Sequence, residues 1–185
     1  MKCVILAGGI GSRLFEETKT KPKPLVEIGK KPIILHIIKY LLSFKINKFI
    51  ICTGYKGHLI NKFFFDYAEQ KKYNLLTNRY KNKIFFKNKD LKDLEITFNF
   101  TGIKTGTGGR ILKIKKFLKK NENFFLVYGD GLFNININLL IKKHENSNKV
   151  ATMAITKPKN RFGLVFCKGS QIVAFNEKKD KSNNN

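Results

Sequence analysis

Acidic side chains are scarce in this sequence: 13 Asp and Glu stand against 37 Lys and Arg, a formal net charge of +24 at pH 7. The imbalance favours polyanionic partners, and phosphate ligands and nucleic acid both qualify. Most of the cations are lysines, spread along the whole chain among Asn, Ile and Phe. That is the pattern of solvated lysines rather than of a dedicated nucleic-acid surface, and no interleaved aromatic stripe resembles a base-stacking platform. Nucleic acid is therefore not the expected partner.

Cysteine is also rare. Cys3, Cys52 and Cys167 lie far apart in apolar runs, an odd number without a Cys-x-x-Cys pair or a Cys/His spacing. This excludes a disulfide framework joining all three and gives no sign of a zinc site, and it fits a reducing compartment. Apolar runs are short and broken by Lys or His, so no membrane span is expected. The apolar stretch at Met1–Gly9 is too short for a signal peptide, and a cytoplasmic location is expected. His36, His58 and His144 are scattered, and no Ser/His/Asp or Cys/His pairing stands out for nucleophilic catalysis.

What remains is a folded-protein composition, 42% hydrophobic and 27% charged over 185 residues. This length predicts one domain, over residues 1–178, with a polar tail at 179–185. Strand and helix signals alternate. Lys2–Ala7 reads as a buried strand, Ile33–Phe44 as an amphipathic helix opened by Pro32, Lys48–Thr53 as a strand and Leu59–Ala68 as a helix. The Lys/Asn-rich stretch 71–93 offers only a small strand at Ile84–Phe86. Glu95–Phe100 then reads as a strand, Arg110–Lys119 as a helix, Phe124–Tyr128 as the strongest strand and Ile137–His144 as a helix. Further strands are expected near Val150–Ile155, Leu164–Cys167 and Ile172–Phe175. The alternation predicts an α/β fold, a Rossmann-like, mainly parallel sheet sandwiched by helices. Ligands of such sheets bind beyond the carboxyl ends of the strands. The loops at Gly8, Gly102 and Gly129 all follow strands and should converge there.

Four segments carry candidate chemistry. In Leu6-Ala7-Gly8-Gly9-Ile10-Gly11-Ser12-Arg13-Leu14, bare glycine backbone can approach an anion, and Arg13 can give phosphate oxygens a multidentate contact. The dinucleotide fingerprint fails because Leu14 stands where a third glycine is needed, and no Gly-Lys-Ser/Thr follows. Lys23 sits in Lys21-Pro22-Lys23-Pro24, where two prolines stiffen the backbone under a compact ammonium suited to a polyphosphate. Asp130 lies between Gly129 and Gly131 at the end of the most apolar strand, well placed for a hard cation such as Mg²⁺, although one carboxylate calls for a second ligand elsewhere. The Thr105–Arg110 loop offers hydroxyls and bare backbone to the polar edge of a pyrimidine. Lys178, after Glu177, is a candidate for a second phosphate.

These segments, with Glu16-Glu17-Thr18, Leu25-Val26-Glu27-Ile28-Gly29, Lys31-Pro32-Ile33, Cys52-Thr53-Gly54-Tyr55-Lys56-Gly57, Arg161-Phe162-Gly163 and Glu177-Lys178, closely resemble the sugar-phosphate nucleotidyltransferases, and within them the cytidylyltransferases acting on glucose 1-phosphate. The resemblance runs along almost the whole chain. It implies transfer of a cytidylyl group from CTP to α-D-glucose 1-phosphate, with Mg²⁺, giving CDP-glucose and pyrophosphate for surface-polysaccharide synthesis. It implies that Leu6, Ala7, Gly8, Gly9 and Ile10, then Gly11, Ser12 and Arg13, cradle the nucleotide and that Lys23 meets its phosphates. Thr105, Arg110 and Gly129 would lie by the nucleotide, Asp130 would hold the metal and Lys178 the sugar phosphate. Arg13, Lys23 and Asp130 would carry the catalysis in what is typically a homo-oligomer. Lys179 stands where the family has Pro, and the family continues past this point with strands and a second metal-binding aspartate. A C-terminally truncated catalytic domain is therefore expected. The alternatives are a sister enzyme with another nucleotide or sugar, and an inactive homologue that binds anions or nucleic acid.

Overall fold

Lys2–Ala7 is apolar on both faces, and such a run suits a strand covered on both sides. In the computed structural model, which describes residues 1–10, 18–70, 74–78, 82–87, 93–156 and 164–176, it forms strand β1 near one side of a six-stranded sheet. The chain divides into two compact units, Met1–Ile135 and Asn136–Asn185.

In the first unit β1 is followed by a hairpin of β2 (Glu27–Ile28) and β3 (Lys31–Pro32), helix α1 (Ile33–Ser43), β4 (Lys48–Thr53) and helix α2 (Gly57–Gln70). Then come β5 (Asn74–Asn78), β6 (Lys83–Lys87), β7 (Leu94–Phe100), helix α3 (Thr107–Lys113) and β8 (Phe124–Tyr128). The sheet order is β5-β6-β7-β4-β1-β8. The pairs β7–β4, β4–β1 and β1–β8 are parallel, whereas β5 and β6 add antiparallel strands at the far edge. The expected mainly parallel α/β sheet is thus present.

Register decides which residues share a face. Ile5, Ile51 and Phe98 are aligned across β1, β4 and β7, and the Phe64 ring of α2 meets Phe98 at 5.9 Å between centroids. The opposite face presents Val4, Leu6, Ile50 and Cys52, which Ile114 buries from just beyond α3, with Phe117, Leu118 and Phe124 around it. The sheet is therefore covered on both sides, as its doubly apolar strands require. On α1 the residues Ile33, Ile34, Leu35, Ile37, Ile38 and Leu41 are buried. The Tyr40 hydroxyl on the same helix donates to the Ile135 carbonyl at 2.7 Å, and its ring stands edge-on to Phe133 at 5.5 Å. Tyr40 so ties down the irregular stretch just after Asp130.

In the second unit Asn136 caps α4 (Ile137–Glu145) by accepting from the Leu139 N–H, and β9 (Leu164–Lys168) pairs antiparallel with β10 (Gln171–Asn176). Three expectations are corrected. Residues 151–156 have no regular structure; Val150, Met153 and Ile155 are exposed, and no strand pairs with them among the described residues. The expected helix Arg110–Lys119 begins earlier, at Thr107, and gives way after Lys113 to a single 3₁₀ turn at Lys115–Phe117, which turns Ile114 and Phe117 onto the sheet. Strand β5 arises from the Lys/Asn-rich stretch in which only β6 is expected.

Helix α1 ends in a doubly hydrogen-bonded turn. The Lys45 N–H bonds the Leu42 carbonyl and the Ile46 N–H the Leu41 carbonyl, with Ile46 and Leu41 both buried. This closure needs a left-handed residue at Lys45, whose φ is 62° and where glycine is ordinarily favoured. Lys45→Gly is expected to stabilise the fold by about 0.5–1 kcal/mol, read as a raised denaturant midpoint, and Lys45→Val to lower it.

The cysteines give a second test. Cys3 and Cys52 are buried, and burial pushes both thiols up, Cys52 to about 11, while Cys167 is exposed. A thiol-alkylating reagent should modify Cys167 alone in the native protein and all three cysteines after denaturation. Early modification of Cys3 or Cys52 would contradict this packing.

Candidate active site

Parallel strands end on the same edge of a sheet, so β1, β4, β7 and β8 deliver Gly8, Gly54, Gly102 and Gly129 together. The hydrogen bonds confirm the convergence. The Gly129 N–H donates to the Leu6 carbonyl at 2.9 Å, the Tyr55 N–H to the Gly8 carbonyl at 3.3 Å and the Thr101 N–H to the Thr53 carbonyl at 2.8 Å.

Arg110 fastens these ends from α3. Its Nη1 lies 2.5 Å from the Thr101 hydroxyl oxygen, 2.8 Å from the Gly102 carbonyl and 3.3 Å from the Thr53 carbonyl. Its Nη2 donates to the Gly8 carbonyl at 2.9 Å and more weakly to the Ile103 carbonyl at 3.4 Å. The residue is only 5% exposed. Burial pulls its pKa down, and the neighbouring Cys52 opposes the shift, yet a guanidinium stays charged at any working pH. Lys113, one turn along α3, donates to the Thr101 carbonyl at 2.8 Å and to the Thr105 hydroxyl at 3.3 Å. Thr105 in turn donates to the Thr101 carbonyl at 2.7 Å, so its hydroxyl is engaged in shaping its own loop.

On the other side, Lys23 and Asp130 form an ion pair with Nζ and Oδ2 2.5 Å apart, their side chains about one-quarter and one-third exposed. Lys23 opens a 3₁₀ turn whose Pro24 lies against Gly129, so that a Cβ there would sit 3.1 Å from Pro24 Cγ and 3.2 Å from the Leu6 carbonyl. The stiff Lys-Pro-Lys-Pro segment therefore brings an ammonium to the aspartate at the end of β8. Gly9 and Ile10, just beyond β1, are exposed.

Sequence reasoning thus has its predicted residues Leu6 to Ile10, Lys23, Thr105, Arg110, Gly129 and Asp130 on one edge of one sheet. Gly11, Ser12, Arg13 and Lys178 lie outside the described residues. Thr53, Gly54, Thr101 and Lys113 stand at the same edge and are not among the predicted residues. Their signal is present in the sequence: Thr53-Gly54 and Thr101-Gly102 are identical dipeptides, each directly beyond or at the end of a parallel strand.

Gly54 sits at the tightest point. A Cβ there would lie 2.5 Å from the Gly8 carbonyl oxygen and 2.7 Å from that of Gly102, and at Gly8 it would collide with the Arg110 guanidinium. Gly54→Ala is expected to cost about 1–3 kcal/mol, because backbone on two sides must shift, and Gly9→Ala, with open space around it, about zero. Denaturant titration of the two variants checks the contrast, and equal effects would contradict the packing.

The profile of the nucleotidyl transferase family matches residues 2–185. The chain is 40% identical over 178 residues to glucose-1-phosphate cytidylyltransferase of Salmonella typhimurium, covering 96% of this chain and 69% of that protein. It matches the probable glucose-1-phosphate cytidylyltransferase of Bacillus subtilis at the same identity and coverage. Among solved structures, a putative glucose-1-phosphate thymidylyltransferase from Bacillus anthracis superposes with a TM-score of 0.71 at 24% identity, over 97% of this chain and 65% of that one, and so shares the fold. Given a profile that spans the chain and relatives this similar, the protein belongs to the nucleotidyl transferase family.

Proposed function

We propose that this protein transfers a cytidylyl group from CTP to α-D-glucose 1-phosphate, giving CDP-glucose and pyrophosphate. The observation that carries the reading is the Lys23–Asp130 pair held beside the glycine loop in a chain 40% identical to glucose-1-phosphate cytidylyltransferases. A triphosphate at this edge meets the backbone of residues 6–10, and its phosphates lie within the field of Lys23 and, in the same reading, of Arg13.

The chemistry asks little proton transfer of the protein. A sugar phosphate has a second pKa of about 6, so its attacking oxygen is already anionic at neutral pH. The oxygen–phosphorus bond to the α-phosphorus forms in line as the bond to pyrophosphate breaks, and the products keep all the charge of the reactants. Catalysis is then alignment together with neutralisation of the gathering negative charge. Lys23 serves the phosphates and Lys178 the sugar phosphate.

Among the described residues no cluster of three or more His, Cys, Asp or Glu could hold a metal by itself. Asp130 alone suits Mg²⁺ that enters with the triphosphate, since this ion accepts one or two carboxylates and takes its other ligands from phosphate and water. The ion supplies further charge neutralisation at the phosphate oxygens. In the free protein Lys23 compensates the Asp130 carboxylate, so neither charge stands alone before substrate arrives. No helix among the described residues is long and apolar enough to cross a membrane. A cytoplasmic homo-oligomer belongs to the same reading.

Pyrophosphate release from glucose 1-phosphate and Mg²⁺, compared across CTP, GTP, UTP and dTTP, tests the assignment. CTP is expected to be preferred at least tenfold. Asp130→Asn and Lys23→Met are each expected to lower kcat by about 10²–10³-fold, the scale of losing one aligned electrostatic partner. Release that is fastest with another triphosphate assigns a sister activity, and no release with any of them refutes the reading.

A further inference from the structure

A partly exposed ion pair does not hold its own geometry, because water screens the attraction and ordering the side chains costs entropy. The backbone must therefore set the Lys23–Asp130 pair. Lys23 opens a single 3₁₀ turn, Lys23–Leu25, and Asp130 stands in the turn directly after β8. Behind Asp130, the Gly129 N–H bonds the Leu6 carbonyl at 2.9 Å. Ahead of it, residues 131–136 have no regular structure, and Gly131, Leu132 and Asn134 are exposed. A cavity of about 220 Å³, lined by His36, Ile37, Tyr40, Leu132 and Phe133, opens between this stretch and α1. Close packing alone therefore fastens the stretch poorly.

We infer that Tyr40 is a positioning residue for Asp130, and that α1 is the frame on which both members of the ion pair are set. The Tyr40 hydroxyl reaches the Ile135 carbonyl at 2.7 Å. Its ring stands edge-on to Phe133 at 5.5 Å and to Phe44, at the end of α1, at 5.3 Å. The side chain is thus held between the helix end and the stretch after Asp130. At its other end α1 reaches Lys23. The Ile33 N–H donates to the Val26 carbonyl at 2.9 Å, and the Val26 N–H to the Lys23 carbonyl at 3.0 Å. Ile33 and Tyr40 lie about 10 Å apart along the helix. One rod, buried along Ile34, Ile37, Ile38 and Leu41, fixes the backbone of the ammonium at its first residue and that beyond the carboxylate near its last turn. A phosphate ligand that exchanges with the pair then meets both charges at a preset spacing. Tyr40 acts through Asp130 rather than on the reacting atoms. That the spacing serves transfer of a nucleotidyl group rests on the function proposed above.

The test compares Tyr40→Phe, Tyr40→Leu and, as a control on the same helix, Ile38→Val in the full chain. Tyr40→Phe removes only the hydroxyl, and Ile38→Val removes one buried methylene at a comparable cost in stability. The first readout is the carboxyl ¹³C resonance of Asp130 in the free protein, with Lys23→Met as the reference for a broken pair. Tyr40→Phe is expected to move it toward its Lys23→Met position, Tyr40→Leu to move it further, and Ile38→Val to leave it in place. The second readout is steady-state kinetics with CTP, glucose 1-phosphate and Mg²⁺. Tyr40→Phe is expected to lower kcat about fivefold with the KM for CTP unchanged, and Tyr40→Leu to lower it about tenfold, whereas Ile38→Val keeps both. The inference is overturned if the Asp130 resonance keeps its wild-type position in Tyr40→Phe, or if Ile38→Val moves it as far. It is also overturned if kcat of Tyr40→Phe stays within about twofold of the wild type. Tyr40→Phe keeps the ring and its packing, so it decides the matter if Tyr40→Leu does not fold. A chain that turns over no CTP refutes the proposed function, and the carboxyl resonance, which needs no ligand, then judges this inference alone.

Discussion

One buried cation joins the carboxyl edge of this sheet. Three parallel strands can be brought side by side by apolar packing alone, but their terminal carbonyls cannot be brought to a single point without a donor among them. Arg110 is that donor, and Gly8 and Gly54 are the positions where the backbone comes too close for any side chain. A buried guanidinium is costly to desolvate, and it is tolerated where several strong acceptors surround it. Here the acceptors are the Thr101 hydroxyl and the main-chain oxygens of Gly8, Thr53, Gly102 and Ile103; Gly8 and Thr53 also accept backbone N–H groups, and the guanidinium adds a charged donor to all five.

The second electrostatic element differs in kind. Lys23 and Asp130 form a partly exposed pair on the solvent side of the same edge, and their mutual attraction is screened by water. Such a pair contributes little to stability, and it can be exchanged for phosphate and metal contacts at small cost. The site thus combines a fixed buried charge, which sets the shape of the loops, with an exposed pair open to ligand.

Much of this was legible in the sequence, for identifiable reasons. The doubly apolar runs of β1 and β4 have only one good home, the middle of a covered parallel sheet, and from that the convergence of the loops after Ala7, Phe100 and Tyr128 follows. The Lys-Pro-Lys-Pro segment and the Gly-flanked Asp130 carry their proposed roles in local chemistry. What could not be read was direction. Arg110 follows a Gly- and Thr-rich loop that looks made for ligand, yet its side chain turns inward, to carbonyls as distant in sequence as Gly8, 102 residues away. Burial of this sort depends on where three strands end relative to one another, and no local pattern encodes it. Residues 150–155 failed in the opposite way: Val150, Met153 and Ile155 have the composition of a strand, but in the structure no pairing partner is described for them. Strand β5 lies in a Lys- and Asn-rich stretch whose composition argues against a strand, and there its pairing with β6 overrides local preference.

The central claim is that the carboxyl edge of β1, β4, β7 and β8 receives the triphosphate. Titrating the isotopically labelled chain with Mg²⁺ and CTP, and mapping which amide resonances shift, tests it most directly. The account predicts the largest shifts at Gly8, Gly9 and Ile10, at Lys23 and at Gly129 and Asp130. Shifts confined to α2, to β5 and β6, or to the hairpin of β9 and β10 would contradict it.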